Sequence, residues 1–168
     1  YVNEGLFNNI YYRPDNIIID IKPKEPFPDP NIINFKKELE DNYLIFKNEL
    51  LENINKNLGN WDCLQLTEQL NKWKAIRIGK MWKENRNLFK NSVKLLEQLD
   101  TKYKLNLRHT NDSLKFSILT PNTHIVPHCG DSNDRLRIHL GLIIPDGCYI
   151  RCKTEIKTWE EGKILLLD

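Results

Sequence analysis

Long apolar runs are missing from this chain of 168 residues. Nothing in it approaches the about 20 consecutive apolar residues that a membrane-spanning helix needs. No charged-then-apolar signal segment opens it either. The chain begins at Tyr1 rather than Met, which leaves a processed form or a fragment open and puts any membrane anchor outside these residues. An excess of one charge is missing too. With 25 basic and 23 acidic side chains the net charge is only +2, and the lysines are scattered among glutamates and asparagines. A nucleic-acid footprint needs a basic stripe or a reader motif, and the sequence has neither. Cysteine is scarce: Cys63, Cys129, Cys148 and Cys152 fit no zinc-ribbon spacing and are too few for a disulfide framework. Cys148 and Cys152 fall four apart in an expected strand, where two neighbouring buried thiols are a simpler reading than a metal site. Internal repeats and low-complexity blocks are also absent.

What remains is an ordinary globular composition, 40% hydrophobic and 29% charged, in a length that fits one domain with a substantial core. Residues 1–30 are rich in Pro, Asn and Asp, and KPKEPFPDP predicts an extended arm. After Pro30, Ile32, Phe35, Leu39, Tyr43, Phe46, Leu50 and Ile54 recur at spacings of three and four, so an amphipathic helix is expected, with Gly59 as its stop. Trp73–Ile78 predicts a strand and Gly79-Lys80 a turn. A second helix is expected from about Glu84 to Leu99, with Leu88, Val93, Leu96 and Leu99 facing inward. From Tyr103 onward the period changes to two, and strands are predicted at Leu114–Leu119, His124–His128, Arg135–Ile144, Cys148–Arg151 and Ile164–Leu167. Pro145-Asp146-Gly147 marks a turn between two of them. Helices first and strands afterwards predict an α+β fold, an antiparallel sheet or barrel backed by helices.

The chemistry concentrates in Phe116–Leu142. From Arg135 to Leu142 the sequence alternates strictly, so in a strand Arg135, Arg137, His139 and Gly141 face one way and Leu136, Ile138, Leu140 and Leu142 the other. A polar strand face is usually just solvated surface. Here, however, Arg-x-Arg-x-His pairs a bidentate anion clamp with a titratable donor, and Gly141 removes bulk beside it. A small carboxylate suits such a face. His124 and His128 are four apart, a spacing that on a helix suggests a zinc-protease pair. Ile125 stands where the general base would be, and Pro127 disfavours the helix, so a zinc hydrolase is a poor fit. The two-histidine, one-carboxylate iron triad has an acidic residue two after its histidine. Here that residue is Gly130, and Asp131, one further on, points away unless a turn intervenes.

Three segments carry a resemblance: FSILTPNTHIVPHCG (116–130), SNDRLRIHLGLIIPDGCYIRC (132–152) and TWEEGKILLLD (158–168). Together they resemble the catalytic core of the aspartyl/asparaginyl β-hydroxylase family, Fe(II)- and 2-oxoglutarate-dependent oxygenases on a double-stranded β-helix (a jelly-roll or cupin-like core). More weakly the resemblance extends upstream through the Trp73 strand, Gly79-Lys80, Glu84-Asn85 and Leu95-Leu96-Glu97, to cover roughly residues 30 to 168. It implies residues 31–168 as the catalytic domain, with a helical layer on its N-terminal side. Residue by residue, it implies His128 as the first iron ligand. Gly130 stands at the carboxylate position, as it does in animal members. Arg137 and His139 match the pair that holds the 2-oxoglutarate C1 carboxylate, and Ser117 a hydroxyl contact to its distal carboxylate. Arg135 fits the acidic side chain of a peptide substrate, and His124 matches a family histidine read as structural.

The implied cofactor is Fe(II), and the partners are 2-oxoglutarate, O2 and an acidic peptide or protein. Oxidation of the keto acid to succinate and CO2 is coupled to hydroxylation of the β-carbon of Asp or Asn, while related members act on lipids or small molecules. The family's second iron-ligand histidine, and an arginine for the distal carboxylate, match positions beyond Asp168. His109 precedes the core strands and cannot replace the histidine. The expectation is therefore a catalytic domain lacking its C-terminal strands, with this chain inactive alone. The rival expectation is a non-catalytic module that keeps Arg135, Arg137 and His139 as an anion or acidic-peptide clamp.

Overall fold

The structure is a computed structural model, and it describes residues 25–105, 107, 114–130, 132 and 134–168. The expected arm over residues 1–24, together with His109 and Asp131, lies outside the described residues. A single 3-10 turn at Pro30–Ile32 leads into α1 (Lys36–Asp41) and α2 (Tyr43–Asn55). The apolar stripe predicts one helix here, but the chain breaks at Asn42. Its side-chain amide donates to the Glu38 carbonyl at 2.8 Å, a local bond that competes with the helical ladder. Leu39, Phe46 and Leu50 are buried as the stripe predicts, whereas Ile32 and Ile54 at its ends are exposed. The left-handed residue that first follows α2 is Asn57, with φ 53°. Gly59 comes next at φ 95°, and a Cβ there would run into the Ile76 side chain.

Strands β1 (Asp62–Leu64) and β2 (Trp73–Arg77) pair antiparallel, with Cys63 opposite Lys74. A turn closed by Trp82 N donating to Gly79 O at 2.9 Å leads to α3 (Lys83–Leu88) and α4 (Lys90–Tyr103). Sequence spacing predicts one helix there too. It is divided at Phe89, which leaves helical geometry at φ −119°, ψ 48° and sends a fully buried ring into the core. Strand β3 (Lys115–Leu119) completes a sheet in the order β1-β2-β3. In its register Ala75 faces Ser117 and Ile76 faces Phe116.

Helices and sheet meet in one core. Phe46 and Phe89 approach Phe116 with ring centroids 6.4 and 4.5 Å apart, and Leu50, Ile76, Val93, Leu99 and Ile164 pack around them. Alternation turns Trp73, Ala75, Lys115 and Ser117 to the other face of the sheet. Two buried carboxylates fasten the helical side. Glu49 of α2 accepts from the Asn91 and Ser92 amides at 2.8 Å each, which satisfies two of the orphan donors at the start of α4. Glu40 of α1 accepts from the Ile164 amide at 3.1 Å and from Lys36 and Lys163.

The rest is strand: β4 (Arg137–Leu140), β5 (Tyr149–Cys152), β6 (Glu155–Thr158) and β7 (Ile164–Leu167). β4 pairs antiparallel with β7, His139 opposite Leu165, and β5 with β6. Helices thus precede most of the antiparallel strands, and the class is α+β as expected. Several strand expectations need correction. His124–His128 is not a strand: one bridge joins Ile125 to Thr67 and the Val126 amide donates to Leu66 O at 2.8 Å, but Pro127 has no N–H to continue the ladder. Only Arg137–Leu140 of the expected Arg135–Ile144 strand is strand. β1 and β6 are additions. Near the other end, the Asp168 amide donates to Pro26 O at 3.2 Å, so the described end of the N-terminal segment lies beside β7. Among the described residues no helix is long and apolar enough to cross a membrane.

Candidate functional site

The β2–β3 register builds the first part of the site. Ser117 faces Ala75, so Trp73, two residues from Ala75, is its diagonal neighbour on the same face. The Trp73 indole donates to Ser117 Oγ at 2.6 Å. That leaves the exposed serine hydroxyl its own proton to donate elsewhere. Lys115, on the same face, sits with its Nζ 5.9 Å from the Trp73 ring centroid.

His128 approaches the same indole from the loop after Val126, with ring centroids 6.0 Å apart and planes tilted by 48°. Its Nδ1 lies 2.9 Å from the Val126 carbonyl oxygen. A carbonyl only accepts, so Nδ1 carries a proton, and in the neutral ring Nε2 then presents its lone pair, the form in which an imidazole binds a metal. Two residues on, Gly130 is exposed, and among the described residues a Cβ there would meet nothing nearer than 3.8 Å. Packing does not require glycine at this position. One of the atoms at 3.8 Å is Arg137 Nη2, which brings β4 to the His128 loop.

On β4 the expected alternation holds over its four residues. Ile138 and Leu140 pack against the hydrophobic core, while Arg137 is exposed on the opposite side. His139 shares the Arg137 side and is largely withdrawn from water. Burial, reinforced by the positive charges of Arg137 and Lys115, pushes its pKa down to about 4. Its Nδ1 accepts a hydrogen bond from the Trp159 indole at 3.2 Å. Ser117, His128, Arg137 and His139 therefore converge around Trp73 and Lys115 from two sheets and one loop.

The sequence model of the aspartyl/asparaginyl β-hydroxylase family matches residues 40–168. The aspartyl/asparaginyl β-hydroxylase of Homo sapiens is 38% identical over 138 residues, 79% of this chain and 18% of its own length. The Mus musculus protein of that name matches to the same extent. Aspartate β-hydroxylase domain-containing protein 2 of Homo sapiens is 46% identical over 52 residues, 31% of this chain and 14% of its own. This chain belongs to the aspartyl/asparaginyl β-hydroxylase family. It spans about a fifth of the length of the full β-hydroxylases it matches.

All the converging side chains fall within the span matched to the β-hydroxylase family. Two further expected residues have other neighbours. Arg135 precedes β4, so strand alternation does not reach it. It is about half exposed, with its Nε 3.8 Å from the neighbouring Asp134 carboxylate. His124 lies with its Nδ1 2.8 Å from the Glu68 carboxylate, both side chains about two-thirds exposed. Among the described residues no three His, Cys, Asp or Glu side chains are placed to hold a metal together. Cys148 lies outside β5 and Cys152 within it, so they do not share a strand face as expected. The thiol that feels Cys152 is Cys129, raised first by burial and then by that neighbour.

Sequence reasoning missed Trp73 and Trp159. Trp73 is named only as the start of a strand, and its link to Ser117 depends on a pairing register that spacing does not disclose. Gly141 is corrected. Its missing side chain makes no room for a ligand, because a Cβ there would overlap the Glu160 carbonyl.

Proposed function

We propose that the protein is an Fe(II)- and 2-oxoglutarate-dependent dioxygenase that hydroxylates the β-carbon of Asp or Asn in a peptide, on a double-stranded β-helix to which β3 to β7 contribute. The observation that carries this reading is the convergence of Ser117, Arg137 and His139 beside the metal-competent nitrogen of His128. Arg137 offers a planar fork to the C1 carboxylate of 2-oxoglutarate, and His139 adds a second contact. Ser117, held by Trp73, donates its hydroxyl proton to the distal carboxylate. Lys115 adds positive charge for the dianion. Arg135 is assigned to the acidic side chain of the peptide.

When bound, iron supplies the oxidative chemistry, coupling oxidation of the keto acid by O2 to insertion of a hydroxyl group. His128 Nε2 is the donor this chain contributes. No residue of this chain is assigned as the second imidazole or as the arginine for the distal carboxylate.

The test is succinate formation from 2-oxoglutarate with Fe(II), O2 and an acidic peptide. It is run on this chain and on the chain extended at its C-terminus along its gene. Turnover in the extended form alone is the expected result. Succinate from neither, with any acidic peptide, rejects the enzyme. Binding of 2-oxoglutarate without turnover by either would make the protein an anion- or acidic-peptide-binding module on the same scaffold.

A further inference from the structure

Trp159 belongs to no expected site, yet it makes the hydrogen bond to His139. It follows β6 directly, is half-buried, and is not among the side chains packed against the hydrophobic core. The two rings are only 18° from parallel with centroids 6.1 Å apart. The Trp159 Nε1–H donates to His139 Nδ1 across 3.2 Å. An indole N–H donates and never accepts. The contact can exist only if Nδ1 is unprotonated. In a neutral imidazole the proton must then be on Nε2.

The backbone around Trp159 is fixed to the strand that carries His139. Two residues beyond His139, the Gly141 amide donates to Lys163 O at 3.0 Å, and the Gly162 amide donates to Gly141 O at 2.8 Å. The Glu160 carbonyl fills the space where a side chain at position 141 would be. Gly162 itself sits at φ 74° against the Tyr43 ring, a turn that glycine accommodates without strain. The indole is thus held by an interlocked turn.

We propose that Trp159 is a positioning residue that locks His139 in the tautomer with its proton on Nε2, so that His139 presents an N–H donor beside Arg137 to a carboxylate ligand. Without the lock, the neutral ring is free to place its proton on Nδ1 and turn a lone pair toward the ligand, which repels a carboxylate. The low pKa set by burial, Arg137 and Lys115 agrees with this, since it keeps the ring neutral at physiological pH. The identity of the ligand rests on the proposed function, but the tautomer does not.

The experiment is two-bond 1H–15N correlation NMR of 15N-histidine-labelled chain at neutral pH, with the His139 signal assigned by its loss in His139→Gln. The unaltered chain is expected to show Nε2 protonated and Nδ1 bare. Trp159→Phe, which keeps an aromatic ring but removes the donor, is expected to show both tautomers. Affinity for 2-oxoglutarate should fall about tenfold in that variant, the scale of one hydrogen bond. A protonated Nδ1 in the unaltered chain overturns the proposal, and that reading needs no variant to fold. So does an unchanged 15N pattern in Trp159→Phe. If the tautomer shifts as expected while neither protein binds 2-oxoglutarate, the positioning role stands and the cosubstrate reading fails.

Discussion

On the helical side of the molecule Glu49 gives both carboxylate oxygens to backbone amides of α4. On the strand side His139 gives one ring nitrogen to Trp159, and its other nitrogen has no hydrogen bond among the described residues. His128 repeats the second pattern, with Nδ1 on the Val126 carbonyl and Nε2 available. A polar group satisfied at every atom holds structure. One satisfied at half its atoms is oriented but still able to bind. The two regions thus separate by how completely their polar groups are used, and helical-side substitutions should change stability while strand-side ones change binding.

The severest test of that division is Phe89→Ala. It empties a fully buried ring site against Phe116 and should lower unfolding free energy by about 3–5 kcal/mol, read from a denaturant midpoint. A site effect would contradict the division if 2-oxoglutarate affinity fell further than the loss of folded protein explains.

Acid should strike the strand side next. His139 has a folded pKa near 4 against an ordinary 6.5. Above pH 6.5 the ring is neutral in both states. Between 6.5 and 4 the unfolded chain binds a proton that the folded chain refuses, so stability falls as pH falls, by about 3 kcal/mol in total. His139→Gln should flatten that part of a stability–pH curve, and an unchanged slope would show that His139 is not the group responsible. Glu40 acts in the same direction at lower pH. Burial raises its pKa, but the Ile164 amide and the two lysines outweigh that and hold it below 4.5, so its contribution disappears as acid protonates it.

Glu49→Ala strands the Asn91 and Ser92 amides and should cost about 1–3 kcal/mol of stability, measured by thermal or chemical unfolding, with ligand affinity unmoved. At the far end of the series stands Arg137→Met. Its side chain is exposed, so stability should change by less than about 0.5 kcal/mol. Affinity for 2-oxoglutarate should nevertheless drop about 10- to 100-fold, the loss of a charge-assisted pair. Calorimetry reads both quantities. A stability loss as large as that of Glu49→Ala would erase the distinction between the two sides.

The placement of the candidate residues on β4 was legible because alternation and resemblance pointed to the same side chains. Arg137 and His139 lie on one side of β4, Ile138 and Leu140 on the other, as period two predicts. What the sequence could not disclose was pairing. β6 pairs with β5 with all four of its residues exposed, so no buried face marks it. The His124–His128 segment alternates well enough to suggest a strand, yet Pro127 leaves the ladder without a donor. The helix breaks at Asn42 and Phe89 were hidden because the apolar spacing runs on past both residues. One is diverted by a side-chain hydrogen bond and the other by burial of a ring. Trp73 and Trp159 were invisible as site residues because each acts on a partner more than fifteen residues away.

The interlock at Gly141 has a consequence for sequence drift. The Glu160 carbonyl occupies the place of a side chain at position 141, the Gly162 amide is bonded to the Gly141 carbonyl, and the indole that orients His139 hangs from the same turn. A single methyl added at position 141 would push that turn aside and disturb the His139 ring, which it never touches. Positions 141, 159, 160 and 162 are therefore expected to change together or not at all, a linked inheritance written in main-chain atoms rather than in the side chains of the candidate site.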